Sequence, residues 1–236
     1  MNDARRAEVA ANLRTVRARI AAACADAGRA AEEVTLTVVT KYFPASDVRL
    51  LADLGVTDVG ENKHQEAEAK AAECADLDLR WHFIGNLQSN KAAAVAAYAD
   101  VVESVDRPKL LKGLSKGAHE RGVQLDCLVQ VNLDPDAGAG SGRGGVAPDD
   151  VEALAAQVAA AEGLRLRGVM AVAPPAEDPL PAFERLARLA DLVRRVDPSA
   201  TWVSAGMSGD LEAAVQTGAT HVRIGSAVLG PRPPLG

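Results

Sequence analysis

Aromatic residues and cysteines are scarce in this chain. Phe, Trp and Tyr make up 3 % of its 236 residues although 48 % are hydrophobic, so the core must consist mainly of Ala, Val and Leu. The three cysteines, Cys24, Cys74 and Cys127, are odd in number and include no C-x-x-C pair. They fit a reducing cytosol and predict neither a disulfide framework nor a zinc site.

Long apolar segments are also missing. No apolar run reaches the roughly 18 residues that a membrane span needs. The N-terminal segment carries charges every few residues, unlike the apolar stretch of a signal peptide. We therefore expect a cytoplasmic protein that does not bind membranes.

An excess of basic residues is absent too. The chain has 26 Lys and Arg against 32 Asp and Glu, a net charge of −6, which argues against nucleic-acid binding over a broad basic face but leaves a local patch open. The arginines near the N-terminus are interpreted as a solvated helix face. The four histidines show no metal-ligand spacing, and no metal site is predicted.

Regular alternation of strands and helices dominates what is present. An apolar stripe at spacings of four, three, four and four predicts a first helix over 3–27: Val9, Leu13, Val16, Ile20 and Cys24. Apolar, β-branched runs then predict eight strands: 34–41, 57–60, 80–84, 100–105, 125–131, 166–172, 201–204 and 221–224. Helical segments are predicted between them: 46–54, 63–74, 88–97, 107–120, 149–161, 179–195 and 208–216.

This alternation predicts the α/β class. Strands separated by helices form parallel sheets, and eight units in about 200 residues fit a small closed (β/α)₈ barrel. An open doubly wound sheet is the alternative. The strand count and the absence of a compositional boundary favour one barrel domain over 1–236, with the helix of residues 1–28 packed on it.

Lys41 stands at the carboxyl end of the first predicted strand, just before Tyr42-Phe43-Pro44. In (β/α)₈ barrels, active sites lie at that end of the strands. A lysine partly withdrawn from water has a lowered pKa and can form a Schiff base with an aldehyde. The plain alternative is a solvated lysine that caps a strand.

Other polar residues gather at the same ends, which a barrel brings to one mouth: Glu61, Asn62, His82, Gly85, Asn86, Asn132, Ser204, Ser208, Arg223, Gly225 and Ser226. Helix capping could explain Asn62, Ser208 and Ser226, but not His82 or Arg223.

The last two loops suggest an anion site. Segments 204–209 and 225–230 are rich in glycine and precede helical turns, where backbone N–H groups favour negative charge. A lysine able to form a Schiff base and a phosphate cup in one mouth together describe pyridoxal 5′-phosphate (PLP).

The loop over 134–146 is unusually rich in glycine, and Gly140–Gly145 formally match G-x-G-x-x-G. A dinucleotide site needs these glycines directly after a strand, and here about eight residues intervene. We interpret the loop as a flexible lid.

Five segments resemble the YggS/PROSC family of pyridoxal phosphate homeostasis proteins, whose fold is like the barrel domain of alanine racemase. They are VTKYFPASDV (39–48), VGENKHQEA (59–67), WHFIGNLQSNK (81–91), RGVMAV (167–172) and SAGMSGDLEAAVQTGATHVRIGSAVLGPR (204–232). The resemblance covers about 34–232, and the third and fifth segments are long and specific.

The resemblance implies a cofactor site. It makes Lys41 the Schiff-base lysine and places Arg223 opposite the pyridine nitrogen of PLP. It implies that the backbone of Gly225 and Ser226 binds the phosphate, with help from Ser208 and Ser204. It also implies that Asn62 and His82 line the pocket near the Schiff base, and that Met207 and Ile84 pack around the ring.

By this resemblance the chain binds PLP and takes part in PLP homeostasis without efficient catalysis, so we expect no enzyme. Related racemases use a tyrosine from an added C-terminal β domain as second base, and this sequence ends at Gly236 without one. Apo PLP-dependent enzymes are candidate recipients of the cofactor, and a monomer is expected. The alternatives are a small amino-acid racemase and a partner-binding module that has lost its cofactor.

One departure concerns the segment around the anchor. The family commonly has Ser-Lys-Thr-Lys or similar where this chain has Thr40-Lys41-Tyr42-Phe43. The second lysine is missing, which puts in doubt any relay of cofactor through it.

Overall fold

A closed ring of eight parallel strands forms the centre of the computed structural model, which describes residues 3–134 and 144–231. The strands are β1 Thr35–Val39, β2 Asp58–Glu61, β3 Arg80–Phe83, β4 Val101–Val105, β5 Leu125–Gln130, β6 Leu164–Met170, β7 Trp202–Ser204 and β8 His221–Ile224. They follow one another in chain order, and β8 closes the ring by pairing with β1, with Thr37 opposite Arg223. The predicted closed barrel is confirmed over the open sheet.

Helices surround this ring. They are α1 Asp3–Asp26, α2 Ala45–Asp53, α3 His64–Glu73, α4 Ala92–Ala96, α5 Leu111–Arg121, α6 Val151–Ala160, α7 Pro179–Val196, α8 Leu211–Gln216 and α9 Ser226–Leu229. Short 3₁₀ turns cover Ala31–Glu33, Ser89–Lys91, Pro108–Leu110 and Pro148–Asp150. Each strand is thus followed by a helix on the outside of the barrel, as the alternating pattern predicts.

Among the predicted boundaries that differ from the structure, two have clear local reasons. The sixth strand ends at Met170 rather than at residue 172, because its neighbour β7 ends at Ser204, the partner of Met170. The eighth helix begins at Leu211 rather than at residue 208. The carboxylate of Asp210 accepts the Met207 N–H at 2.5 Å and holds the preceding residues in a turn.

The first helix packs on the barrel through its predicted stripe, all five residues of which are buried. Burial of each large aliphatic side chain contributes roughly 1.5–3 kcal/mol. The arginines of α1 are less solvated than predicted. Arg5 forms an ion pair with Asp47 at 2.8 Å, and Arg19 donates to the Ser208 carbonyl at 3.1 and 3.2 Å. The first contact ties α1 to α2, and the second ties α1 to the loop after β7.

The part of the chain that the structure describes includes no helix of the length and apolarity that a membrane crossing requires. Within the same residues, no group of His, Cys, Asp and Glu could hold a metal ion. The three cysteines are buried and free. Most of the glycine-rich loop, residues 135–143, lies outside the described residues, and so does the lid predicted there.

Candidate functional site

A cavity of about 370 Å³ opens at the carboxyl ends of the strands. Seven of the nine predicted site residues line it: Lys41, Asn62, Met207, Ser208, Arg223, Gly225 and Ser226. Apolar side chains complete much of its wall: Val39, Phe43, Ile84, Met170 and Val172. The cavity therefore combines one amine, one guanidinium and two glycine-containing loops with apolar side chains that could pack against a flat ring.

Lys41 lies two residues beyond β1, in a tight turn. The next residue, Tyr42, has φ 73°, the one positive value for a non-glycine residue in the described chain. This backbone conformation is unfavourable for a residue with a large side chain and needs support from its surroundings. The support comes from α3, because the Tyr42 N–H donates to Glu66 at 2.5 Å and the Thr40 carbonyl accepts from Lys70 at 2.8 Å. The backbone is thus held on both sides of Lys41.

Lys70, Glu61, Glu66 and Thr40 form a buried ionic group that we call the lysine cluster. The ammonium of Lys70 donates to Glu61 at 2.7 Å and to Glu66 at 2.6 Å, and the Thr40 hydroxyl donates to Glu61 at 2.6 Å. Burial raises the pKa of Glu61, although the charge and hydrogen bond of Lys70 oppose it. One oxygen of Glu61, Oε2, has no hydrogen-bond partner among the described residues.

The sequence analysis missed Lys70. Its spacing of four residues from Glu66 is the signal for an ion pair on one face of a helix. A lysine in such a pair is usually solvated, whereas Lys70 is only 6 % exposed. Its burial follows from the turn at Tyr42, which the sequence pattern did not reveal.

Arg223 lies on β8 and projects into the barrel interior below the cavity mouth, with 4 % of its surface exposed. Its Nη1 donates to the Ser204 hydroxyl at 2.6 Å and its Nη2 to the Ala171 carbonyl at 2.8 Å. The nearest carboxylate, that of Glu103, lies 3.8 Å from Nη1. Burial lowers the pKa of Arg223, and the negative charge of Glu103 opposes this shift. A guanidinium nevertheless stays protonated at neutral pH.

His82 and Ser204 do not line the cavity, contrary to the contacts predicted for them. Both side chains lie below it in the barrel interior, where the His82 side chain is fully buried and Ser204 has no exposed surface. The reason is depth. His82 precedes the last residue of β3, and Ile84, beyond the strand, reaches the cavity wall instead.

These two residues belong to a second ionic group, the interior row of Asp58, His82, Glu103, Ser204 and Arg223. The His82 ring is 2.9 Å from Asp58 through Nε2 and 2.7 Å from Glu103 through Nδ1. The other oxygen of Glu103 accepts from the Ser204 hydroxyl at 2.6 Å. The row thus runs from β2 across the barrel to β8.

Proton positions in the row follow from these contacts. Burial alone would lower the pKa of His82, but hydrogen bonds to Asp58 and Glu103 and their charges outweigh it and raise the pKa to about 9. Burial likewise opposes ionisation of Glu103. The hydrogen bond from His82, the charges of His82 and Arg223 and the Ser204 hydroxyl outweigh burial and lower the pKa to about 2. At neutral pH the row contains two cations and two carboxylates.

Two glycines allow close approaches between backbone segments around the cavity. A Cβ on Gly85 would lie 2.0 Å from the Asn62 carbonyl oxygen, so only glycine lets the loops after β2 and β3 meet. A Cβ on Gly225 would approach the Val39 carbonyl to 3.2 Å. The backbone at Gly225 and Ser226 therefore borders the cavity directly and could contact a phosphate.

These residues fit PLP. The cavity offers an amine to an aldehyde, a buried cation to a ring nitrogen, and backbone and hydroxyl groups to a phosphate, all within one apolar-walled space. Ser208 lines this cavity together with Gly225 and Ser226. No other cofactor is needed to explain this combination of groups.

Comparison with known proteins gives consistent matches over nearly the whole chain. The family model "Alanine racemase, N-terminal domain" matches residues 6–233. A pyridoxal phosphate homeostasis protein of Mycobacterium tuberculosis is 42 % identical, over 97 % of this chain and 94 % of the relative. PipY of Synechococcus elongatus PCC7942, solved with PLP bound, is 33 % identical with a TM-score of 0.80, covering 94 % of this chain and all of PipY.

Alanine racemase of Corynebacterium glutamicum shares the fold alone. It has 17 % identity and a TM-score of 0.66, and the match covers 98 % of this chain but 63 % of the racemase. The racemase therefore has residues outside the shared barrel.

Proposed function

Because the chain belongs to the family of pyridoxal phosphate homeostasis proteins, which is built on the alanine racemase N-terminal domain, we propose that it binds PLP on Lys41 and regulates the intracellular supply of this cofactor. The observation that carries the proposal is the meeting of Lys41 and Arg223 in one cavity of about 370 Å³. PipY, with PLP bound and 33 % identity, supports it.

When bound, PLP supplies an aldehyde that condenses with a lysine amine and a ring that can withdraw electrons. The side chain of Lys41 is the covalent anchor, and the turn held by α3 fixes its backbone. Ser208, Gly225 and Ser226 bind the phosphate, Asn62 borders the anchor, and Met207 and Ile84 pack on the ring.

Arg223 keeps its proton beside the ring nitrogen, so that nitrogen accepts a hydrogen bond and stays unprotonated. An unprotonated ring withdraws electrons weakly, which disfavours removal of a proton from a bound amino acid. This supports a binding role without efficient catalysis. The relatives are named as homeostasis proteins rather than as enzymes.

The positions of the two tyrosines also support binding over racemisation. Neither Tyr42 nor Tyr98 lines the cavity. Tyr98 is partly buried outside the barrel, where its ring stacks on His64 at 5.9 Å, and burial raises the pKa of its hydroxyl. Within the described residues no tyrosine is placed to act as the second base of a racemase.

A monomer in the cytoplasm that delivers PLP to apo PLP-dependent enzymes completes the proposal. The three free, buried cysteines support a reducing compartment. The opening of the cavity at the rim of the barrel gives a recipient enzyme access to the cofactor.

The test is an absorption spectrum of the purified protein with added PLP, followed by borohydride reduction and peptide mapping. We expect a yellow protein and a pyridoxyl adduct on Lys41. Lys41→Ala should lose both, whereas Lys63→Ala, which removes a nearby exposed lysine, should keep them. A colourless protein, or adducts scattered over surface lysines, would refute the proposal.

A second assay separates binding from racemisation. The loaded protein is incubated with L-alanine and the D-enantiomer is measured by chiral chromatography. We expect no turnover above that of free PLP. Turnover at ordinary enzyme rates that disappears in Lys41→Ala would establish the racemase alternative.

A further inference from the structure

We propose that Glu103 and His82 are positioning residues for Arg223, which they hold against the cofactor ring through the interior row. The inference rests on the proposed function, because it concerns how the bound PLP meets its guanidinium. It also gives His82, which does not touch the cavity, a role in cofactor binding.

The first step is the orientation of the Ser204 hydroxyl. A hydroxyl has one proton to donate, and that of Ser204 goes to Glu103 at 2.6 Å. Its lone pairs are then free to accept, and one receives the Arg223 Nη1–H at 2.6 Å. Because a guanidinium can only donate, Ser204 accepts from Arg223, and its own hydrogen bond to Glu103 fixes the position of the oxygen that does so.

The second step is the placement of Glu103 itself. One oxygen binds Ser204, and the other lies 2.7 Å from His82 Nδ1. On the far side of the ring, Nε2 is 2.9 Å from Asp58. With a carboxylate on each side, both ring nitrogens donate, and the imidazolium locks Glu103 in its position.

The third step is charge balance. The row places two cations, His82 and Arg223, alternately with two carboxylates in the barrel interior, where unpaired charge is very unfavourable. Of the groups near the row, Asp210 adds a further negative charge that acts on Arg223, whereas His221 and Arg80 leave the alternation unchanged. His221 packs 6.2 Å from His82 between ring centroids, and burial together with the charge of His82 lowers the pKa of His221 to about 4, so it is neutral. Arg80, on the same strand as His82, is bound to Asp126 at 3.0 Å.

Loss of either positioning residue should therefore release Arg223 without removing it. In Glu103→Gln the row contains an excess positive charge and Ser204 loses its carboxylate acceptor. In His82→Gln a carboxamide replaces the imidazolium between two carboxylates. We expect both variants to bind PLP on Lys41 roughly tenfold more weakly and with a shifted absorption maximum, because the hydrogen bond to the ring nitrogen changes.

The matched control is Asp126→Asn. Asp126 is also a buried carboxylate on a barrel strand, 2 % exposed and bound to Arg80 and Arg165. Its side-chain hydrogen bonds and ion pairs within the described residues are to arginines other than Arg223. We expect the spectrum and the affinity of its bound PLP to stay those of the wild type, even if its melting temperature falls.

The experiment titrates PLP into the wild type and the three variants, records spectra, and maps the borohydride adduct in each. Wild-type protein without an adduct on Lys41 refutes the proposed function. An adduct on Lys41 together with unchanged spectra and affinities in folded Glu103→Gln and His82→Gln overturns the positioning role alone. Circular dichroism checks the fold of each variant.

A measurement on the unloaded wild type keeps the inference testable if the variants fail to fold. Nitrogen-15 NMR of the His82 ring reports the protonation of its two nitrogens. We expect both to carry protons at pH 7.5, with the Arg223 guanidinium protons protected from exchange. A neutral His82 ring at that pH would overturn the positioning role.

Discussion

Two ionic groups hold residues that line the cavity, and these groups differ in charge balance. The lysine cluster holds the turn at Lys41 and contains one cation, Lys70, and two carboxylates. The interior row reaches the cavity at Arg223 and contains two cations and two carboxylates. One wall of the site is thus held by a group with surplus negative charge and the other by a neutral one.

The difference shows in two glutamates with equal burial. Glu61 and Glu103 are each 1 % exposed. Burial raises the pKa of Glu61, and the charge of the second carboxylate, Glu66, adds to the rise, although Lys70 and Thr40 oppose it. In the row the contacts overcome burial and lower the pKa of Glu103 to about 2. Burial alone therefore does not decide the direction of the pKa shift; the charges and hydrogen bonds that face each carboxylate decide it.

The largest effect should come from removing the single cation of the lysine cluster. Lys70→Met leaves Glu61 buried without its partner, and the loss of one member of a buried pair destabilises a protein by about 3–5 kcal/mol. Chemical denaturation at pH 8 measures the loss. It should shrink at pH 5, because Glu61 can then take up a proton.

Lys116→Met is the matched control for this variant. Lys116 is an exposed lysine paired with Glu120 at 3.7 Å on α5, and such pairs contribute under about 1 kcal/mol. Equal losses in the two variants would contradict the buried role of Lys70. We also expect Lys70→Met, but not the control, to weaken PLP binding.

A somewhat smaller loss of stability should appear when His82, in the interior row, loses its proton. The pKa of His82 is raised from an ordinary 6.5 to about 9. Its contribution to stability is therefore complete below pH 6.5 and is lost as the pH rises through 9. The shift corresponds to roughly 3 kcal/mol.

The measurement is the free energy of unfolding of the wild type and His82→Gln between pH 6 and 9.5. The wild type should lose its stability advantage over His82→Gln across this window, so the two curves converge. Parallel curves would show that His82 is not protonated in the folded chain.

The smallest effect should follow from making the lysine cluster neutral. In Glu66→Gln the amide oxygen can still accept from Tyr42 and Lys70, but the surplus negative charge disappears. We expect a stability change within about 1 kcal/mol and a lower pKa of Glu61, measured through its carboxyl carbon by NMR. Glu68→Gln, a substitution of an exposed residue on the same helix, should leave the pKa of Glu61 unchanged.

The barrel and its strand order could be predicted because each strand has its own signal. The β-branched run before Lys41 and the apolar run of β5 indicate strands, and the helices between them require parallel pairing. The relatives of 42 % and 33 % identity confirm the family resemblance. This resemblance identified candidate site residues that strand patterns alone do not distinguish from helix-capping residues.

Depth within the barrel could not be predicted. His82 and Arg223 both lie on strands near the mouth, but only Arg223 borders the cavity, because strand tilt and stagger decide how far each side chain lies from the opening. Lys70 was missed for a related reason. Its burial depends on the left-handed turn at Tyr42, which no local pattern indicates.

Closure of the ring by β1 and β8 has a consequence for how the chain folds. Lys41 follows the first strand and Arg223 lies on the last, so about three-quarters of the chain separates these two residues in sequence. Contacts of such long range form late, because a large loop must close first. During synthesis Lys41 leaves the ribosome well before β8 is made, so under the proposed function stable capture of PLP on Lys41 would have to wait until the last strand docks.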